Sequence, residues 1–100
     1  MKIQTLTMDD LFQLDEIYFN KFSNSPFTGE ISGKINGAFK KGKREGLWFY
    51  YHDNGQLAAK VNFKDGKLYG LDERYHENGQ LTDKTNWKDG KKVGLEEDYY

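Results

Sequence analysis

Cysteine is absent from these 100 residues, proline occurs once, and no apolar stretch approaches membrane length. Without cysteine there can be no disulfide, no thiolate nucleophile and no Cys-ligated zinc or iron–sulfur centre, a composition that fits a reducing compartment. A spanning helix needs roughly 20 consecutive apolar residues, and nothing in the chain comes near that. The stretch from Met1 to Phe19 lacks a long apolar core and is broken by Asp9, Asp10, Asp15 and Glu16, unlike an export signal. A soluble, cytoplasmic chain is therefore expected. A chain of this length makes one domain and buries only about 60 to 70% of its unfolded surface, which disfavours a large enclosed substrate cavity.

Charge of one sign is scarce in total, with a net charge of −1, but it is segregated. Residues 1–33 carry two basic and five acidic groups, residues 34–67 eight and three, and residues 68–100 five and eight, giving −3, +5 and −3. A basic middle of this size can attract phosphates or an acidic protein. Nucleic-acid binding needs a stronger domain-wide excess, which the flanking acids oppose, so no nucleic-acid partner is expected.

What the chain does have is repetition. The text FKKGKREGLWFYYHDNGQLAAKVN from Phe39 returns as FKDGKLYGLDERYHENGQLTDKTN from Phe63 and begins again as WKDGKKVGLEEDYY at Trp87, an ungapped offset of 63 − 39 = 87 − 63 = 24 residues. Fixed-period self-similarity is the mark of stacked supersecondary units. Asp53-Asn54-Gly55 and Glu77-Asn78-Gly79 contain the Asn-Gly pair, a strong hairpin signal. The Gly-Lys-x-x-Gly segments Gly42 to Gly46, Gly66 to Gly70 and Gly90 to Gly94 read as a second set of turns. The runs between them have strand length, so each repeat reads as one β-hairpin. The expected fold is all-β, an elongated twisted antiparallel sheet of tandem hairpins. It divides into an N-terminal cap over 1–38, repeats over 39–62 and 63–86, and a partial repeat over 87–100.

Side chains of a strand alternate between two faces. Leu47, Leu71 and Leu95 align on one face with Tyr51, Tyr75 and Tyr99, and that face is expected to be structural. Leu57, Leu81 and the aromatic ladder Phe39, Phe63 and Trp87 supply a shared core. The other face, with Trp48, Tyr50 and His52, then Asp72, Arg74 and His76, then Glu96, Asp98 and Tyr100, varies from copy to copy, as a recognition surface would. The candidate partner-binding residues are Trp48, Tyr50, Asp72, Arg74, Glu96 and Asp98. Aromatics and arginine dominate binding hot spots because they bury much area at low entropic cost.

The unit Phe-Lys-Asp-Gly-Lys-x-x-Gly-Leu-x-x-x-Tyr-His-x-Asn-Gly-Gln-Leu, with Ser25-Pro26-Phe27-Thr28-Gly29-Glu30 upstream, resembles the MORN-repeat variant of bacterial proteins labelled YwqK-type antitoxins. The resemblance implies an elongated hairpin sheet and a protein-binding, dimerising or membrane-associated scaffold. The chain departs from the pattern where Trp48 becomes Asp72 and Glu96 in later copies.

Signals of catalysis are weak. Gly37 to Arg44 imitates a phosphate-binding loop, but Arg44 stands where a hydroxyl residue would meet magnesium. His52 and His76 are equivalent positions about 9–10 Å apart, too far for both to ligate one metal. The carboxylates lack a pocket that would raise a pKa. No catalytic residue, cofactor or metal is assigned. At the chain's start, Leu11 to Phe22 reads as two short strands around Asp15-Glu16; a helix over Met8 to Phe19, capped by Thr7, is the alternative. The last copy leaves Leu95 to Tyr100 as an open edge, a place where a homodimer could pair. The favoured function is a non-enzymatic protein-binding module, an antitoxin or immunity protein acting on a toxin by direct contact; the alternative is a self-assembling or membrane-associated scaffold.

Overall fold

The computed structural model describes the backbone of residues 5–98 and the side chains of residues 6–93. It contains ten strands and no α-helix among the described residues: β1 Thr5–Leu6, β2 Leu11–Leu14, β3 Ile17–Asn20, β4 Gly29–Ile31, β5 Ile35–Lys40, β6 Lys43–Tyr51, β7 Leu57–Lys64, β8 Lys67–Tyr75, β9 Leu81–Lys88 and β10 Lys91–Asp98. Strands β4 to β10 follow one another antiparallel in a single sheet, and β1 lies parallel on the outer side of β4. Strands β2 and β3 form a separate hairpin. Dimensions of 44 × 31 × 25 Å match an elongated stack of hairpins.

Two turn chemistries alternate, at the sites the sequence marked. Lys41-Gly42, Asp65-Gly66 and Asp89-Gly90 hold both residues at positive φ, from 50° to 83°, which is the two-residue hairpin turn matched to strand twist. At the Asn-Gly sites only the glycine is left-handed. There His52 N–H donates to Gln56 O at 2.8 Å and Gly55 N–H to His52 O at 2.9 Å, closing a three-residue loop. The second glycine of each Gly-Lys-x-x-Gly segment is not in a turn: Gly46 and Gly70 lie inside nine-residue strands. They accompany register shifts that recur between β5 and β6, β7 and β8, and β9 and β10. Such bulges re-aim a strand and increase its twist.

The hydrogen-bond pattern reveals an abbreviated repeat before the first full one. Gly42 N–H donates to Phe27 O, Gly66 N–H to Arg44 O and Gly90 N–H to Leu68 O, at 2.7, 2.9 and 3.0 Å. Likewise Gly29 pairs with Phe39, Gly46 with Phe63 and Gly70 with Trp87. Phe27, Arg44 and Leu68 are thus equivalent, at spacings of 44 − 27 = 17 and 68 − 44 = 24 residues. The β4–β5 hairpin is a unit seven residues short, turning at Ser32 to Lys34.

The leading segment forms strand, not helix. Thr7 N–H donates to the Asp10 carboxylate at 3.0 Å, but the cap holds only one 3₁₀ turn, Met8–Asp10, before β2 begins. The β2–β3 hairpin is tied to the first two-residue turn, with Tyr18 N–H donating to Gly42 O at 2.8 Å and Phe27 N–H to Tyr18 O at 3.0 Å. It brings Leu11 and Tyr18 onto Phe27, Ile31, Phe39, Trp48, Ala59, Val61 and Phe63, which with Leu11 are the buried apolar residues of the core.

This core inverts the face assignment made from the sequence. Trp48 and Asp72 are 0% and 4% exposed, whereas Leu47 and Leu71 are 49% and 36% exposed, so among the described residues the repeated leucines point outward and Trp48 and Asp72 point inward. Phe39 stands edge-on to the Trp48 ring at 5.0 Å and Phe63 at 5.8 Å. The indole N–H donates to Ala38 O at 3.2 Å. Gly37 completes the pocket: a Cβ there would lie 2.2 Å from the Trp48 ring.

Candidate protein-binding face

Cross-strand register places two rows side by side on the core face. One runs Trp48, Val61, Asp72, Thr85; the next runs Tyr50, Ala59, Arg74, Asp83. The small Ala59 between Tyr50 and Arg74 leaves depth, and a cleft of about 490 Å³ opens there, lined by Arg44, Tyr50, Ala59, Val61, Phe63, Leu68 and Arg74 among others. Its floor is apolar and its walls carry two guanidinium groups.

Both arginines are held from behind. Arg44 stacks over the rings of Tyr18, Trp48 and Phe63 at 5.0, 5.3 and 5.4 Å, and one of its terminal nitrogens donates to the Tyr18 hydroxyl at 2.7 Å. Its Nε is buried and makes no hydrogen bond. Arg74 donates Nε to Asp72 Oδ1 at 3.0 Å and Nη2 to Oδ2 at 3.1 Å, a two-point pairing that fixes the plane of the guanidinium. Trp87 Nε1 donates to the same Oδ2 at 3.0 Å. The hydrogen bonds to Asp72 push the Arg74 pKa further up, so its charge is permanent. Burial pushes the Tyr50 phenol above its ordinary value, with Arg44 and Arg74 pulling it the other way.

The structure brings Tyr50 and Arg74 together at the rim of one cleft. Trp48 is the core beneath that cleft and offers no surface in the folded chain, a correction that follows from the β2–β3 hairpin lying over it. Asp72, 4% exposed, sits behind Arg74 and under Trp87, where it orients the arginine. Glu96 and Asp98 lie on β10 beyond the described side chains. His52 and His76 are committed to their own surroundings: His52 Nε2 meets Tyr75 O at 2.9 Å, and His76 Nδ1 accepts from Asn78 N–H at 3.2 Å. Sequence reading missed Arg44, Ala59, Val61 and Leu68. The available signal was the pair Ala58-Ala59 opposite Tyr50, where small side chains interrupt a strand of large ones.

Fold and cleft together define a protein of stacked hairpins with one face partly left open. The family model of the MORN repeat variant matches residues 44–65 and 66–89. Those two matches fall on the β6–β7 and β8–β9 strand pairs, as a repeat-type module requires. Neither a curated protein nor a solved structure matches the chain. No described helix is long and apolar enough to cross a membrane.

Proposed function

We propose that the chain is a non-enzymatic protein-binding module whose partner enters the Tyr50–Arg74 cleft, and that it serves as an antitoxin or immunity protein neutralising a toxin protein by direct contact. The cleft carries this reading: an apolar floor with Tyr50 and two pre-oriented arginines at its walls has the composition of a binding hot spot. Arg74 is half free to do so, its side chain being 52% exposed while Asp72 fixes its plane. Arginines locked in this way lose little side-chain entropy on binding.

The test is co-expression with the product of a neighbouring gene. Wild-type chain co-purifies with it and relieves its growth inhibition, whereas a Tyr50→Ser, Arg74→Ser double variant that melts like wild type does neither. A variant that still binds and rescues removes the cleft from the contact.

A second reading rests on the sheet order, in which β10 is the terminal strand of the described sheet. Pairing of that edge with a second copy would make the chain a self-assembling scaffold. A concentration-independent monomer by light scattering removes this reading, and failure to float with anionic liposomes removes its membrane-associated form.

A further inference from the structure

The three two-residue turns lie at one end of the stacked hairpins, and each is closed by a lysine pair. Lys40 is registered opposite Lys43, Lys64 opposite Lys67, and Lys88 opposite Lys91. All six are exposed. Like charges directly opposite each other on adjacent strands are destabilising, so each pair works against its own hairpin. The turn residue between them has changed from Lys41 to Asp65 and Asp89, and the core position Trp48 has become Asp72, yet the lysine pairs persist through every copy. The other end of the sheet carries the Asn-Gly loops with Glu77 and with Asp53, the latter ion-paired with Lys34, so positive charge gathers at the two-residue turns.

We infer that this lysine row is a docking rail for an acidic helix of the protein partner, an inference that rests on the chain being a protein-binding module. Successive hairpins lie two strands apart, about 9–10 Å at ~4.8 Å per strand. Carboxylates seven residues apart on a helix are about 10.5 Å apart at 1.5 Å per residue, so one acid every two turns meets each lysine pair. Asp65 and Asp89 stand between the lysines of their pairs along the row. They oppose a continuous polyphosphate, as does the net charge of −1, and they lower the second and third pairs to +1 each, so the first pair, with Lys41 in its turn, is the strongest contact for a carboxylate. Between the first two pairs a concavity of about 300 Å³, lined by Lys43, Arg44, Lys67, Tyr18, Glu16 and Asp65 among others, offers a seat for one such side chain. A charged row of this kind mainly accelerates encounter and fixes register.

The probe is a labelled helical peptide of about three heptads with one glutamate per heptad, compared with its glutamine counterpart by fluorescence anisotropy. The glutamate peptide binds at low ionic strength and is released by about 0.5 M salt, while the glutamine peptide does not bind. Replacing Lys40, Lys43, Lys64 and Lys67 by glutamine weakens binding about tenfold through loss of exposed ion pairs. The variant's melting temperature holds or rises, because repulsion is relieved. Equal binding of the two peptides, or undiminished binding by the lysine variant, overturns the inference. So does tighter binding of a DNA duplex or a phosphatidylserine vesicle than of the glutamate peptide. The Tyr50→Ser, Arg74→Ser variant keeps its affinity for the peptide, so loss of rescue in that variant alone and loss of peptide binding in the lysine variant alone report on the two sites separately.

Discussion

Replacing Trp48 by alanine removes the larger of the two bulkiest fully buried side chains and separates the two ways of assigning the sheet's faces. The ring is 0% exposed, with Phe39 and Phe63 edge-on and Arg44 stacked upon it, and its N–H is bonded to Ala38 O. Aromatic-to-alanine changes in cores cost about 3–5 kcal/mol, and the upper half applies here because Gly37 and Ala59, with no long side chains, cannot close the space. That is a large part of the roughly 5–15 kcal/mol available to a domain. At about 4–8 °C per kcal/mol for a domain of this size, the melting temperature falls by at least ~15 °C. The neighbouring Leu47→Ser is the control, since an exposed position should change stability by no more than about 0.5 kcal/mol. Urea unfolding followed by far-ultraviolet circular dichroism reads both. If Trp48→Ala costs under about 1 kcal/mol, or Leu47→Ser costs more than Trp48→Ala, the inward placement of the tryptophan is wrong.

Gly37→Ala drives a methyl group into the same ring and should cost about 1–3 kcal/mol by overpacking, recovered in part by Trp48→Leu in the same chain; urea midpoints of the single and double variants check this. Asp72→Ala strips Trp87 Nε1 and Arg74 of their acceptor and should cost about 1–3 kcal/mol, whereas Asp72→Asn keeps an acceptor for Trp87 and costs less, as equilibrium unfolding will show. Tyr50 makes stability fall at high pH. Its folded pKa is raised above the ordinary 10.0, so its contribution is complete below pH 10.0 and is lost as pH rises through the folded value. Tyr50→Phe should flatten that part of the alkaline unfolding curve, followed with tyrosinate absorbance; an unchanged curve contradicts the burial of the phenol.

The period of 24 residues was legible because turn residues and large side chains recur at fixed positions, and it specified the hairpin sheet almost unaided. Which face points inward was not. Period two separates Leu47 from Trp48 but assigns neither to the core, and the apolar ladder Leu47, Leu71, Leu95 looked the more constant. The decision belongs to the β2–β3 hairpin, which covers the Trp48 side through contacts remote in sequence. Asn-Gly marked both reversals correctly, and the loops close with a left-handed conformation only at the glycine. The abbreviated repeat escaped notice because deletion of seven residues shifts Phe27 out of phase with Arg44, and only the backbone hydrogen bonds restore the equivalence. Arg44, read as a misfit in a phosphate loop, is the cation stacked on three core rings.

That equivalence also explains why Trp48 has no tryptophan counterpart in the next unit. Ile31, Trp48 and Asp72 occupy one position in successive units, since Gly29, Gly46 and Gly70 two residues earlier pair alike. All three side chains are buried, but by different means. Ile31 and Trp48 lie in the apolar cluster that includes Leu11 of the β2–β3 hairpin, so burial of carbon suffices. Asp72, in register with Val61, is buried among polar partners, with Arg74 and the Trp87 indole N–H both donating to its carboxylate. A carboxylate bound by Arg74 and Trp87 closes the sheet with polar atoms instead, and in doing so fixes the arginine that walls the cleft. On the proposed function, the switch from tryptophan to aspartate marks where the apolar core gives way to the surface a partner would meet. It follows that Asp72→Trp should destabilise the chain by about 1–3 kcal/mol, as Asp72→Ala does, while freeing Arg74 and abolishing partner capture. A variant that gains stability strongly and still captures the partner would break the link between this position and the site.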